Sequence, residues 1–156
     1  MGKRSTKKPS GTTPPQKRDA AECGCTHEDR TLALRVMTLT RDTNQYGTIF
    51  GGIILSYIDQ AGFVEARRHG RHRWVTASVD RVDFHQPVHL GDVVNCYACT
   101  TRLGRTSVTV CVDVEAERYE TGETVRVTTA MLTMVAVDAQ GRSIPFSSPP
   151  TIGVDE

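Results

Sequence analysis

The chain has 156 residues, a formal net charge of +1 and five cysteines. This length predicts a single domain, since domains typically hold ~100–200 residues. The near-neutral charge excludes a strongly basic nucleic-acid-binding protein, and no run approaches the ~20 apolar residues of a transmembrane helix. Because no signal-peptide pattern opens the sequence, we expect a cytoplasmic protein that does not insert into membranes.

The cysteine pattern favours neither a disulfide framework nor a metal site. An odd number of cysteines without a secretion signal argues against paired disulfides. Cys96 and Cys99 fall in a predicted strand, where residues three apart point to opposite faces and do not converge on one ion. We therefore expect no disulfides and no bound metal.

The two ends of the chain differ in composition from its centre. Residues 1–28 are basic and polar without apolar periodicity, which predicts a disordered basic leader. Residues 141–156 contain three prolines and are expected to form a C-terminal tail. Residues 29–140 are the predicted folded domain.

Apolar patterning predicts one strand, one long helix and four further strands, in that order. The helix is expected over residues 52–68, and the strands over residues 31–39, 75–84, 93–101, 108–116 and 125–137. Within residues 75–84 the alternation changes phase, which suggests a β-bulge. Short turns between successive strands require antiparallel neighbours. The predicted fold class is therefore α+β, with one antiparallel sheet packed on one helix.

The predicted helix has two faces that both avoid strongly polar residues. An apolar stripe recurs at three- and four-residue spacing: Ile54, Tyr57, Ile58, Ala61 and Val64. Asp59 lies opposite this stripe, and the residues around it are small or apolar: Gly52, Leu55, Ser56, Gly62, Phe63 and Ala66. Because such a face is unsuited to water, we expect a second copy of the chain to cover it in a homodimer.

Residues 42–52, Asp-Thr-Asn-Gln-Tyr-Gly-Thr-Ile-Phe-Gly-Gly, are followed seven residues later by Asp59. This pattern resembles the signature of hotdog-fold acyl-CoA thioesterases, the group of bacterial short- and medium-chain acyl-CoA hydrolases and the brain acyl-CoA hydrolase of animals. The resemblance extends over about residues 30–145. It implies a hotdog fold, in which the sheet wraps around the helix. It also implies dimers with a continuous sheet, which often assemble as trimers of dimers into hexamers.

The resemblance further implies an acyl-CoA site at the subunit interface, and it assigns roles to two side chains. The helix aspartate, Asp59, acts as general base or nucleophile, and the loop asparagine, Asn44, contributes from the partner subunit. From the residues alone, Asp59 could equally be a satisfied interface residue, and Asn44 could be a turn former. Both alternatives stay open at this stage.

The glycines at the predicted helix start suit a site for negative charge. First-turn N–H groups lack internal partners and favour anions, and glycine lets a ligand approach the backbone. The Gly52 N–H is therefore the candidate oxyanion donor, although a helix start that needs glycine for its backbone angles explains it too. Arginine suits the phosphates of CoA. The candidate substrate-binding residues are Gly47, Phe50, Gly51, Arg105 and Ser107.

The leading hypothesis is an acyl-CoA thioesterase of lipid metabolism that releases free acid and CoA without a cofactor. The alternative is a non-catalytic hotdog protein that binds acyl-CoA and regulates another process. A hotdog hydratase is disfavoured because its Asp and His pair is not found. The sequence leaves open the acyl chain length and whether Asp59 attacks directly or through water.

Overall fold

A computed structural model describes residues 25–80 and 82–153. Most of the predicted basic leader, residues 1–24, lies outside the described residues. The ordered elements are the helix α1 and five strands: β1 (Thr31–Met37), α1 (Gly51–Ala66), β2 (Arg73–Val79), β3 (Val93–Leu103), β4 (Ser107–Glu117) and β5 (Thr124–Val137). Short 3-10 turns at Thr40–Asp42 and Arg67–His69 flank the helix region.

The five strands form one antiparallel sheet in the order β1-β3-β4-β5-β2. Helix α1 contacts every strand of this sheet, so the predicted α+β class is confirmed. Strands β1 and β2 are the two edges. Each has one side that pairs with no other described strand, which leaves backbone N–H and C=O groups open to another chain.

The core lies between the helix and the inner face of the sheet. Alternate residues of β4, from Val108 to Val114, are fully buried there, as period-two alternation predicts. Ile54 and Ile58 cover them from the helix. A side chain at Gly62 would be crowded, because its Cβ would lie 3.1 Å from Cδ2 of Leu132.

The helix stripe predicted from spacing is partly wrong. Ile54, Ile58 and Ala61 are buried, but Val64 is 44% exposed, whereas Gly62 and Ala66 face the sheet. The helix is rotated because its small residues, rather than its largest ones, allow the sheet to approach closely. Apolar Val64 is thereby left on the outer face near Asp59.

The predicted bulge in the strand over residues 75–84 is misplaced. The strand ends at Val79, and the segment after it is irregular, tied to β5 by the N–H of Asp80 on Met131 O. The register irregularity with β5 lies earlier, between Thr76 and Ser78. The phase change in the sequence therefore marks the end of the strand.

Residues 25–30 lie on the outer face of the sheet. A disulfide joins Cys25 to Cys99 of β3, which contradicts the expectation of no disulfides. Arg30 adds an ion pair to Asp113 at 3.1 Å. Counting cysteines could not detect this bond, because it depends on the chain folding back over β3. As expected for residues three apart in a strand, Cys96 points the other way, into the core.

The residues after β5 pack beside the start of β2. Ile144 N–H donates to Ala136 O, and Thr151 N–H donates to Arg71 O. The Phe146 ring lies 6.0 Å from the Trp74 ring, centroid to centroid. Among the described residues, no helix is long and apolar enough to cross a membrane.

Candidate active site

The loop that leads into helix α1 is held by its own polar side chains. Asn44 Oδ1 accepts hydrogen bonds from the N–H groups of Tyr46, at 2.9 Å, and Thr48, at 3.2 Å. Asn44 Nδ2 donates to Thr48 Oγ1 at 2.8 Å. An asparagine side chain carries two N–H donors, so one remains for a ligand after the bond to Thr48.

The same loop is closed by a hydrogen bond between its two ends and anchored to the segment before β3. Phe50 N–H donates to Asp42 O at 3.0 Å, and Ile49 N–H donates to Val88 O at 2.8 Å. Gly47 forms the tight turn between them with φ +81°, a left-handed conformation that favours glycine. The loop is therefore preformed in a single chain.

Helix α1 begins at Gly51, one residue before the predicted start, and both Gly51 and Gly52 are exposed. Among the described residues, no atom lies within 4 Å of a Cβ placed on Gly52. Gly51 faces the ring of Phe84, 3.7 Å from the position of its Cβ. A cavity of about 300 Å³ opens here, lined in part by Thr48 and His85. Unpaired first-turn N–H groups at this position favour negative charge.

Asp59 lies two turns further along the helix, on its exposed side. The hydroxyl of Thr76 on β2 donates a hydrogen bond to Asp59 Oδ1. Both residues line a groove of about 500 Å³ between α1 and β2. The other residues of this groove are largely apolar: Gln60, Phe63, Val64, Trp74, Val75 and Met134. A carboxylate in apolar surroundings is costly unless it is partnered or functional.

Asp59 and the helix start are too far apart within one chain to act on one carbonyl group. At ~1.5 Å per residue, the helix between Gly52 and Asp59 spans ~10 Å. An oxyanion donor needs to lie ~3 Å from the carbonyl oxygen, and a base needs similar contact with its proton. The structure therefore brings Asn44 close to the helix start and places Asp59 in a separate groove.

The remaining sequence candidates lie elsewhere. Arg105 and Ser107 belong to the β3–β4 hairpin, where the N–H of Phe146 donates to Arg105 O at 3.3 Å. Neither side chain lines the groove of Asp59. Burial raises the pKa of the Cys96 thiol to about 12, so this cysteine stays protonated and is not a nucleophile at neutral pH.

Sequence reasoning missed Thr76, Phe84 and Trp74. Thr76 belongs to an alternating strand, and nothing in that pattern marks it as the partner of a helix carboxylate. Phe84 was assigned to a strand, although it lies over Gly51. The only tryptophan of the chain carried a signal that could have been used, because a large aromatic side chain on an edge strand needs a neighbour to cover it.

Comparison with known proteins identifies the family. The family model of the thioesterase superfamily matches residues 46–132, the span from the loop before α1 to the middle of β5. The chain belongs to this superfamily. A relative from Haemophilus influenzae, described as an uncharacterized acyl-CoA thioester hydrolase, is 40% identical over 115 residues, or 72% of this chain and 75% of the relative.

A second relative and two solved structures agree with this result. The acyl-CoA thioester hydrolase YciA of Salmonella typhimurium is 36% identical to this chain over 118 residues, which are 74% of this chain and 89% of YciA. A hexameric hotdog fold thioesterase of Campylobacter jejuni matches with 40% identity and a TM-score of 0.71, over 74% of this chain and 90% of that one. A hexameric thioesterase of Yersinia pestis matches with 38% identity and a TM-score of 0.71, over 76% of this chain and 96% of that one. The predicted hotdog fold is thus confirmed.

Proposed function

We propose that the chain is an acyl-CoA thioesterase, which hydrolyses the thioester of acyl-CoA to a free carboxylic acid and CoA. The observation that carries the proposal is the carboxylate of Asp59 on helix α1, which accepts a hydrogen bond from Thr76 in a largely apolar groove. Membership of the thioesterase superfamily supports it, as do relatives named acyl-CoA thioester hydrolases at 36–40% identity.

The complete site is assembled from two copies of the chain. One copy contributes Asp59, and its partner contributes the preformed loop with Asn44 and the Gly52 N–H. The ~10 Å separation within one helix supports this arrangement, because a thioester carbonyl bound at Asp59 is beyond the reach of the same chain's helix start. In a two-fold dimer each chain supplies both halves, so two equivalent sites form.

The edge strand β2 is the proposed contact between the copies. It borders the groove of Asp59, and its outer side pairs with no described strand. Val75 and Val79 on this strand are each 45% exposed, and Val75 lines the groove together with Phe63 and Val64 of the helix. Edge-to-edge pairing of two β2 strands would join the sheets and cover this apolar surface. Hexamers would then form from three such dimers, as the solved relatives are hexameric.

The chemistry follows from these positions. The Asp59 carboxylate takes a proton from water as the water oxygen attacks the carbonyl carbon, or attacks that carbon itself. In either route the carbonyl oxygen gains negative charge, which the partner's helix start stabilises through the N–H at position 52. The C–S bond then breaks. On the water route, Asp59 returns the proton it took to the departing CoA sulfur; on the direct route, the CoA thiolate leaves and takes a proton from solvent, and water then hydrolyses the Asp59 acyl anhydride to the free acid and the regenerated carboxylate. Asn44 orients the water or the thioester through its remaining N–H.

The test measures the hydrolysis of acyl-CoAs with short to long acyl chains. Chromatography monitors the loss of each acyl-CoA for the wild-type protein and for Asp59→Asn. We expect turnover in the wild type and a reduction of ~100-fold or more in the variant, a typical effect of losing an acid–base group. Glu28→Gln is the matched control, because it neutralises an exposed carboxylate in the segment on the outer face of the sheet, outside the residues that line the groove. Its rate should equal that of the wild type.

Two outcomes would contradict the proposal. Equal turnover by the wild type and Asp59→Asn would show that Asp59 has no catalytic role. Tight binding of acyl-CoA without turnover of any chain length would favour the alternative, a non-catalytic acyl-CoA-binding protein.

A further inference from the structure

The indole ring of Trp74 forms part of the lining of the groove beside Asp59. Trp74 lies two residues before Thr76 on β2, so both side chains point to the same face of the sheet. Both line the groove, together with Met134 of β5 and Phe63 of the helix. Trp74 is 5% exposed, so its ring forms a wall of the groove with little solvent behind it.

The position of this ring is fixed from several sides. Its Nε1–H donates to Gly70 O at 3.0 Å, and its face packs on Phe146 with ring centroids 6.0 Å apart. The buried ring of His72 meets it edge-on at 6.2 Å. His72 Nε2 lies 2.8 Å from Phe146 O, so the segment after β5 is held against the back of the tryptophan.

The two arms of a thioester differ in what they require from the protein. The CoA arm contains amides and, beyond them, a charged phosphorylated nucleotide, so it must lead out to solvent. The acyl arm is apolar and gains free energy from burial. With the carbonyl carbon at Asp59, an apolar groove walled by Trp74 suits the acyl arm.

We infer that Trp74 is a specificity-determining residue, which ends the acyl-chain pocket and limits the length of the acyl chain. This inference rests on the proposed thioesterase function. From Thr76 to Trp74 the strand advances ~7 Å. Since an extended chain advances ~1.2 Å per bond, this distance holds roughly six carbon atoms. Chains well beyond that length meet the indole.

The first test compares the kcat/KM of wild type, Trp74→Phe and Trp74→Val on butyryl-, octanoyl- and dodecanoyl-CoA. Shortening the side chain opens the end of the groove. We expect the ratio of dodecanoyl- to butyryl-CoA to rise ~10-fold or more in Trp74→Val, with a smaller rise in Trp74→Phe, since a few methylenes in an apolar pocket discriminate by this order. The rate with butyryl-CoA should change little.

Two further variants distinguish the effect of opening the groove at Trp74 from the effect of loosening the core in general. Val114→Ala removes buried volume on β4, outside the groove, and should leave the ratio unchanged. Phe146→Ala removes support behind the indole and should raise the ratio by a smaller factor than Trp74→Val, as expected of a positioning residue. An unchanged ratio in folded Trp74→Val and Trp74→Phe would overturn the inference, as would an equal shift in Val114→Ala.

A second measurement needs neither turnover nor a variant. Trp74 is the only tryptophan, so its emission reports on the pocket alone. Titration with S-alkyl-CoA thioethers, which lack the carbonyl group, should shift the emission with octyl and dodecyl chains and leave it unchanged with S-methyl-CoA. A chain-length-dependent shift without hydrolysis of any acyl-CoA would sink the proposed function and retain the pocket. Binding of octyl- and dodecyl-CoA without any shift would overturn the pocket assignment while turnover persisted.

Discussion

The loop before helix α1 and the groove around Asp59 differ in how completely one chain builds them. The loop is finished, because Asn44 satisfies the N–H groups of Tyr46 and Thr48 and the backbone is anchored at Val88. The groove is unfinished, because it exposes apolar side chains beside a carboxylate and borders an open sheet edge. This difference is the basis of the proposal that a rigid half-site in one copy completes an open half-site in another.

Blocking the finished half is expected to have the largest effect. Gly52→Val fills the space in front of the helix start without meeting any described atom within 4 Å of its Cβ. The fold should be retained, and kcat/KM for acyl-CoA should fall ~100-fold or more, the order of losing an oxyanion donor. A variant that keeps wild-type kinetics would show that the carbonyl oxygen does not approach this N–H.

Disrupting the unfinished half at the sheet edge is expected to have the next largest effect. Val79→Lys places a charge on β2 outside the residues that line the groove. Because central interface residues contribute ~2 kcal/mol or more, the dimer dissociation constant should rise roughly 30-fold. Specific activity should then increase with protein concentration, measured alongside sedimentation.

Leu32→Lys is the matched control for this edge. It introduces the same charge at an exposed apolar residue of the opposite edge strand, β1. The control should leave the dimer dissociation constant unchanged. If Leu32→Lys dissociates the dimer and Val79→Lys does not, the copies pair through the wrong edge for the proposed site.

The smallest expected effect concerns the hydroxyl that holds Asp59. Thr76→Val keeps the shape of the side chain and removes the hydrogen bond to the carboxylate. A hydrogen bond to a charged group contributes ~1.5–3 kcal/mol, so kcat should fall about 10-fold as Asp59 loses its orientation. Thr76→Ser retains the hydroxyl and should keep most of the activity. Equal kcat values for the two variants would show that the bond has no part in catalysis.

The sequence was sufficient for the fold but not for the contacts that complete the site. Alternation predicted β4 and β5 because each strand has one apolar face, and spacing predicted α1. The helix rotation was missed, since Gly62 and Ala66 are buried by the close approach of the sheet. One helix cannot show in its own pattern which neighbour covers each side.

The site residues divide in the same way. The proposed residues Asp59 and Asn44 were predicted from the resemblance of one short stretch to a known signature, and Gly52 was predicted from its place at the helix start. Thr76 and Trp74 were missed because they reach the groove only through the pairing of β2 with β5. The disulfide of Cys25 was missed for the same physical reason, since it joins residues 74 apart in sequence.

The most direct test of the two-copy site is complementation between two inactive variants. Asp59→Asn and Gly52→Val are each purified, then mixed in equal amounts and exchanged by reversible dissociation. In a mixed two-fold dimer one site carries both changes and the other carries neither, so random mixing should restore about a quarter of wild-type activity. If the mixture stays as inactive as its components while exchange is complete, both groups act within one chain and the account is wrong.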